Sequence, residues 1–163
     1  MENNKTQIAR DLPNKKITVI REFNSPLAKV WAAWTESHLL DQWWAPRPWK
    51  AVTKTMDFRV GGIWLYSMQG PDGAISWSRL DIEMIDTLKC FIGLCTFCDE
   101  QGNRNVDFPS MRWNVQFQSI GTGTKIIVEL SFENDADMSK LVAMGFEGGF
   151  TMGLNNLEEL LAK

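Results

Sequence analysis

Histidine and tyrosine are almost missing from this chain: His38 and Tyr66 are the only ones in 163 residues. Histidine is the usual general base near neutral pH, and His38 falls on a helical, solvent-facing stretch with no recognisable partner. Cys98 beside Asp99 likewise has no base next to it, and the chain carries no GxSxG elbow, P-loop or Rossmann fingerprint. No catalytic constellation is therefore recognisable. Cysteine is scarce: Cys90, Cys95 and Cys98 include no second CxxC to complete the roughly four ligands of a zinc site. They read as buried or half-buried free thiols, and no metal or cofactor is expected. Positive charge is not in excess. A net charge of −3 and a pI near 5.2 argue against general nucleic-acid binding. No apolar run approaches the roughly 18–20 residues of a membrane span. The N-terminal MENNKTQIARDLPNKK has no apolar core of the secretory type, so the expected location is cytoplasmic.

What the chain has instead is tryptophan, eight residues of it, and large aromatics in that number line either a core or a pocket. Residues 1–14 are polar and aperiodic and read as a flexible N-terminal tail, with residues 15–163 as a single domain. Lys15 to Phe23 is a strand by its β-branched content. Asn24 or Ser25 then caps a helix with Pro26 early in the first turn, and a second short helix runs from Glu36 to Trp43 until Pro46 and Pro48 stop it. Strands follow at Trp49–Arg59, Ile63–Gln69, Ala74–Ile85, Lys89–Cys98, Met111–Gln118 and Thr124–Phe132, broken by turns such as Gly70-Pro71-Asp72-Gly73. Met111, Trp113, Val115 and Phe117 alternate on one face, and Ile126, Val128, Leu130 and Phe132 on another. Such one-sided alternation predicts an antiparallel sheet with one covered face.

Met138 to Leu161 contains no proline and reads as one long terminal helix, the only element large enough to cover that sheet. Gly145, Gly148, Gly149 and Gly153 fall on its apolar side. Each glycine in a helix interior costs about 0.8–1 kcal/mol relative to alanine. They serve either close approach to the sheet or an open space beside the helix. The expected architecture is α+β: a curved antiparallel sheet of about six or seven strands around a long C-terminal helix, with two short helices after the first strand.

These residues resemble a known family. Arg21-Glu22-Phe23-Asn24-Ser25-Pro26, Val30-Trp31-Ala32-Ala33-Trp34-Thr35, Trp43-Trp44-Ala45-Pro46 and Asp57-Phe58-Arg59-Val60-Gly61-Gly62 come in order, followed by Met68 to Gly73 and by Gly149-Phe150 with Leu154 and Leu157. The chain is similar to the SRPBCC superfamily (START-like, Bet v 1-type helix-grip fold), within it to the group named for the activator of heat shock protein 90 ATPase. It departs at Ala45, where the family usually has glycine, at Phe150, where tryptophan is frequent, and near Asp86, where a proline is usual. The resemblance implies a cavity between the long helix and the sheet, used in the family for lipids, sterols and polyketide-like molecules. A few relatives are cyclases or aromatases.

Candidate ligand-binding residues are Trp34, Trp44, Met56, Trp64, Tyr66, Met68, Trp113, Val115, Phe117, Phe146, Gly149, Phe150 and Gly153. All of them suit a filled core as well as a pocket wall. Met56, Met144 and Met152 would add adaptable walls, and Trp43 and Trp44 either gate an entrance or cap the core. Arg59 is the candidate polar contact, able to fork onto a ligand carboxylate or to pair with Asp57 or Asp81. The function expected is non-catalytic binding of a small apolar or amphipathic ligand by a monomer or weak dimer. One alternative is a chaperone co-factor acting through its surface. A second is a cyclase-like enzyme working through Arg59, Tyr66 or Glu83.

Overall fold

The structure is a computed structural model that describes residues 6–163. Among the described residues the chain forms eight strands, most of them rich in β-branched and aromatic residues: β1 (Gln7–Asp11), β2 (Lys16–Phe23), β3 (Lys50–Met56), β4 (Ile63–Gln69), β5 (Ile75–Asp86), β6 (Cys90–Cys98), β7 (Ser110–Ile120) and β8 (Gly123–Ser131). They form one antiparallel sheet in the order β1-β2-β8-β7-β6-β5-β4-β3. Helices α1 (Leu27–Thr35) and α2 (Ser37–Trp43) carry the chain from β2 to the far edge strand β3. Helices α3 (Asp135–Ala143) and α4 (Phe146–Leu161) follow the last strand.

Register aligns the covered face strand by strand. Tyr66 lies opposite Ser78, which lies opposite Phe97; Trp64 lies opposite Leu80, then Cys95, then Met111. Trp113 pairs with Leu130, and Leu130 with Ile17. At the β2–β8 end this face is a sealed aliphatic core, where Ile17, Val19, Val128 and Leu130 have no exposure. Toward β4 and β6 it turns aromatic. Two strands are irregular, with bulges at Ile82/Met84 and Thr53/Thr55, the local kinks that raise twist and bend a strand.

Four features differ from the expectation. The described residues form eight strands rather than six or seven, and the extra one lies within the expected tail: Gln7–Asp11 pairs with β2, while residues 1–5 of that tail lie outside the described residues. Edge strands are short and charged because they must not invite further pairing, which hides them from a periodicity search; only Ile8 packs against the core. Helix α1 is preceded by Pro26 at the cap, with no side-chain cap bond. Ser25 is buried, and its carbonyl accepts a hydrogen bond from Thr124 Oγ1 at 2.7 Å. Finally, the long terminal helix is two helices. Gly145 takes φ +86°, a left-handed conformation that ends helices and that glycine adopts without penalty. Asn134 caps α3 by accepting from the Asp137 amide at 2.8 Å, so that helix also starts earlier than expected.

The break resets the phase of α4. Its buried stripe is Phe150, Gly153, Leu154, Asn156, Leu157 and Leu161, with the i, i+3, i+4 spacing of one helix face, and Met152 turns outward with 43 % exposure. Arg21, buried on β2, holds the far half of α4: its guanidinium donates to Thr6 Oγ1, Asn155 Oδ1 and Glu158 Oε1 at 2.7–2.8 Å. Among the described residues no helix is long and apolar enough to cross a membrane.

Candidate functional site

Where the aromatic end of the sheet meets the α3–α4 junction, the packing leaves two spaces. The outer one is a cavity of about 250 Å³. Its floor is Tyr66 and Met68 of β4, Ser78 of β5, Cys95 and Phe97 of β6 and Trp113 of β7. Its roof is Leu141 of α3, Met144 at the C-cap of that helix, Gly145, and Phe146, Gly149 and Phe150 of α4, and Trp44 and Pro46 close one side. Behind it, toward α1, lies a narrow void of about 20 Å³, the size of one water. Phe58, Leu80, Ile82 and Phe91 help to wall the void.

Of the residues expected to form the site, Trp44, Tyr66, Met68, Trp113, Phe146, Gly149 and Phe150 line the cavity. Trp34, Met56 and Trp64 line only the inner void, which Trp44, Tyr66 and Trp113 also touch. Val115 and Phe117 line neither space; Phe117 packs edge-on against Trp31 at 4.9 Å and Trp34 at 6.2 Å. Gly153 lines neither, because α4 there lies directly on the end of α2. A Cβ at Gly153 would stand 3.1 Å from the Trp44 carbonyl oxygen and 3.4 Å from that of Trp43. A Cβ at Gly149 would meet only Pro46 Cγ, at 3.8 Å. Gly149 thus stands beside an open space, whereas the close approach at Gly153 is to the end of α2 and not to the sheet as expected.

Arg59 lines neither space. It is exposed and donates from Nε to Asp57 Oδ2 at 2.8 Å. Glu83 is paired with Arg112 through two hydrogen bonds of 2.7 and 3.0 Å and does not line the cavity. Trp43 belongs to the core, donating from Nε1 to the Ala33 carbonyl at 2.9 Å. His38 is exposed beside Glu36. Cys95 and Cys98, three residues apart on a strand of period two, point to opposite faces. Phe97 and Ser78 were not expected in the wall, and Cys95 was expected only as a buried or half-buried free thiol, although the alternation Phe91-Gly93-Cys95-Phe97 was there to be read.

The cavity wall is uncharged. No Asp, Glu, Lys, Arg or His is among the described residues that line it. Trp44 Nε1 donates to Tyr66 Oη at 3.0 Å, and burial raises the Tyr66 phenol well above its ordinary range. Burial likewise pushes the Cys95 thiol up to about 12, so it is no activated nucleophile. The indole N–H groups of Trp34 and Trp113 are buried without a partner among the described residues. The site therefore offers aromatic faces and a few neutral polar atoms, the make-up of a small-molecule pocket.

A curved antiparallel sheet gripping a terminal helix, with an aromatic cavity between them, defines a helix-grip protein of the SRPBCC type. The chain belongs to the family described as Activator of Hsp90 ATPase homolog 1-like protein, whose pattern matches residues 24–162. Among solved structures it is similar to the crystal structure of protein Ms6760 from Mycobacterium smegmatis, at 27% identity over 96% of each chain and TM-score 0.89. A protein from Arthrobacter aurescens solved by NMR is 26% identical, with 96% of this chain and 91% of that chain covered and TM-score 0.91. One from Staphylococcus epidermidis is also 26% identical, with 96% and 93% covered and TM-score 0.83. No curated protein sequence matches the chain.

Proposed function

We propose that the protein binds a small, uncharged, largely apolar molecule in the cavity between α4 and the sheet, without transforming it. The observation that carries this reading is the cavity itself: about 250 Å³ of space bounded by sixteen residues, none of them charged. A carboxylate or ammonium placed there would lose hydration without gaining an ion pair. A neutral ligand with an aromatic or aliphatic body gains about 25 cal/mol for each Å² of apolar surface removed from water. Its polar atom has the Ser78 and Tyr66 hydroxyls within the wall. Arg59 and Glu83, the charged groups a cyclase-like reading would use, are engaged in ion pairs elsewhere. The chaperone reading rests on the description of the family alone.

Tryptophan fluorescence tests the proposal, because Trp44 and Trp113 stand in the cavity wall. Titration with neutral ligands (sterols, long-chain alcohols, aromatic ketones) should give a saturable change, and the carboxylate of matching size a much weaker one. Gly149→Leu, which puts a side chain beside Pro46 at the mouth, should abolish the response while the protein stays folded. A flat response to every neutral ligand would overturn ligand binding and turn attention to chaperone capture.

A further inference from the structure

The inner void and the outer cavity share four wall residues, Trp44, Tyr66, Cys95 and Trp113. Three of these are fixed in the sheet floor, on β4, β6 and β7. Trp44 alone comes from the opposite side, from the residue that caps the C-terminus of α2. Its indole spans the gap between helices and sheet. The ring centroid lies 5.3 Å from Trp64, 5.5 Å from Trp113 and 6.3 Å from Tyr66 on the floor, and 5.8 Å from Trp34 and 6.0 Å from Phe150 on the helices. Most of these contacts are edge-to-face, a favourable aromatic geometry. The Nε1 hydrogen bond to Tyr66 Oη fixes the rotation of the ring, and Tyr66 is itself stacked on Trp64 at 4.1 Å. The neighbouring backbone is braced from outside, where α4 approaches the Trp44 carbonyl at Gly153.

We infer that Trp44 is the partition that sets ligand length: it closes the cavity at its inner end and denies ligands the aromatic space behind. The inference rests on the binding reading above and adds the residue that determines specificity within it. With Trp44 in place the inner space is too small for more than a water, and a ligand must end against the indole. With a smaller side chain there, void and cavity join and the pocket deepens toward Trp34, Met56 and Phe91.

The experiment is a chain-length series of straight 2-alkanones titrated into the wild type and into Trp44→Leu, followed by isothermal calorimetry. Each methylene that enters the cavity tightens binding by about fourfold, until the chain meets the end wall and the gain stops. The expected result is a break at a shorter chain in the wild type, and a break two or more methylenes later in Trp44→Leu. Binding by both proteins with the break at the same length overturns the partition and leaves the binding reading standing. No alkanone binding by either overturns both. Should Trp44→Leu fail to fold by circular dichroism, Trp44→Phe, a smaller ring without the N–H, takes its place. Its break must then move in the same direction for the partition to stand.

Discussion

At the residue scale, glycines of the same terminal segment do three different jobs, and each can be tested by one substitution. Gly145 is the only residue of the four whose backbone needs a positive φ. Gly145→Ala should cost about 1–2 kcal/mol, the left-handed penalty of an L-residue, read as a lower urea midpoint at unchanged m-value. Gly153 is a spacer between α4 and the carbonyls that end α2. Gly153→Leu has to push whole backbone segments apart and should cost about 1–3 kcal/mol or more, the usual range of overpacking. Gly149 faces the cavity mouth with only Pro46 nearby. Gly149→Leu should therefore change stability by less than about 1 kcal/mol, the size of its gain in helix propensity, yet remove ligand binding. Equal destabilisation by the leucines at 149 and 153 would mean that both positions are packed contacts and that the mouth lies elsewhere.

At the element scale, the joint between α2 and α4 holds the roof over the cavity. The last carbonyls of a helix lack intrahelical donors, and here a buried side chain reaches them: Asn156 Nδ2 donates to the carbonyl of Trp43, the last residue of α2, at 3.4 Å and to that of Ala45, two residues beyond, at 3.1 Å. Asn156→Leu keeps the volume and leaves a buried acceptor at Ala45 unmatched, which should cost about 1–3 kcal/mol. Hydrogen exchange should report the damage first in α2 and α4, and protection lost evenly across the sheet instead would refute a local joint. Asn156 also shows what can and cannot be read from the sequence. The strands β7 and β8 were legible because their alternation is long and one-sided, and Trp113 was legible as a wall residue for the same reason; Tyr66 stood out between Trp64 and Met68 on β4, Phe150 on the apolar side of the terminal helix, and Trp44 where the second helix gives out before Pro46. An asparagine inside an apolar stripe looks like an error of pattern until the carbonyls opposite are known. The phase of α4 was hidden by Gly145, since a periodicity carried through a left-handed residue assigns Met152 to the wrong face. The strand β1 was hidden because, of its five residues, only Ile8 packs against the core. What keeps Trp34 and Trp64 to the inner void while Trp113 also reaches the cavity is a matter of depth, and depth is not written in a sequence period.

At the scale of the whole molecule, the titration of the cavity wall decides how the protein responds to pH. Among the described residues two ionisable groups line the cavity, Tyr66 and Cys95, and burial raises both above their ordinary values, Cys95 to about 12. Each is neutral in its protonated form, so the cavity stays uncharged through neutral and mildly alkaline pH. Affinity for a neutral ligand should accordingly be flat from about pH 6 to about pH 9, the span that contains the ordinary thiol value near 8.5. Stability should not be flat over the alkaline range. In the unfolded chain the Cys95 thiol ionises near its ordinary value, while in the folded protein it keeps its proton until about pH 12. Between those limits the unfolded state binds fewer protons than the folded one, so the stability of the fold falls as pH rises. Urea unfolding at a series of alkaline pH values should show that decline in the wild type. In Cys95→Ser, whose hydroxyl does not titrate there, the decline should be shallower, while the ligand affinity of both proteins stays level across neutral pH. A wild-type affinity that breaks near the ordinary thiol value would place a titrating, hydrated Cys95 in the cavity, and with it a wall that can carry charge. The wall described above, uncharged and aromatic, requires the opposite: a binding site that does not sense pH inside a fold that does.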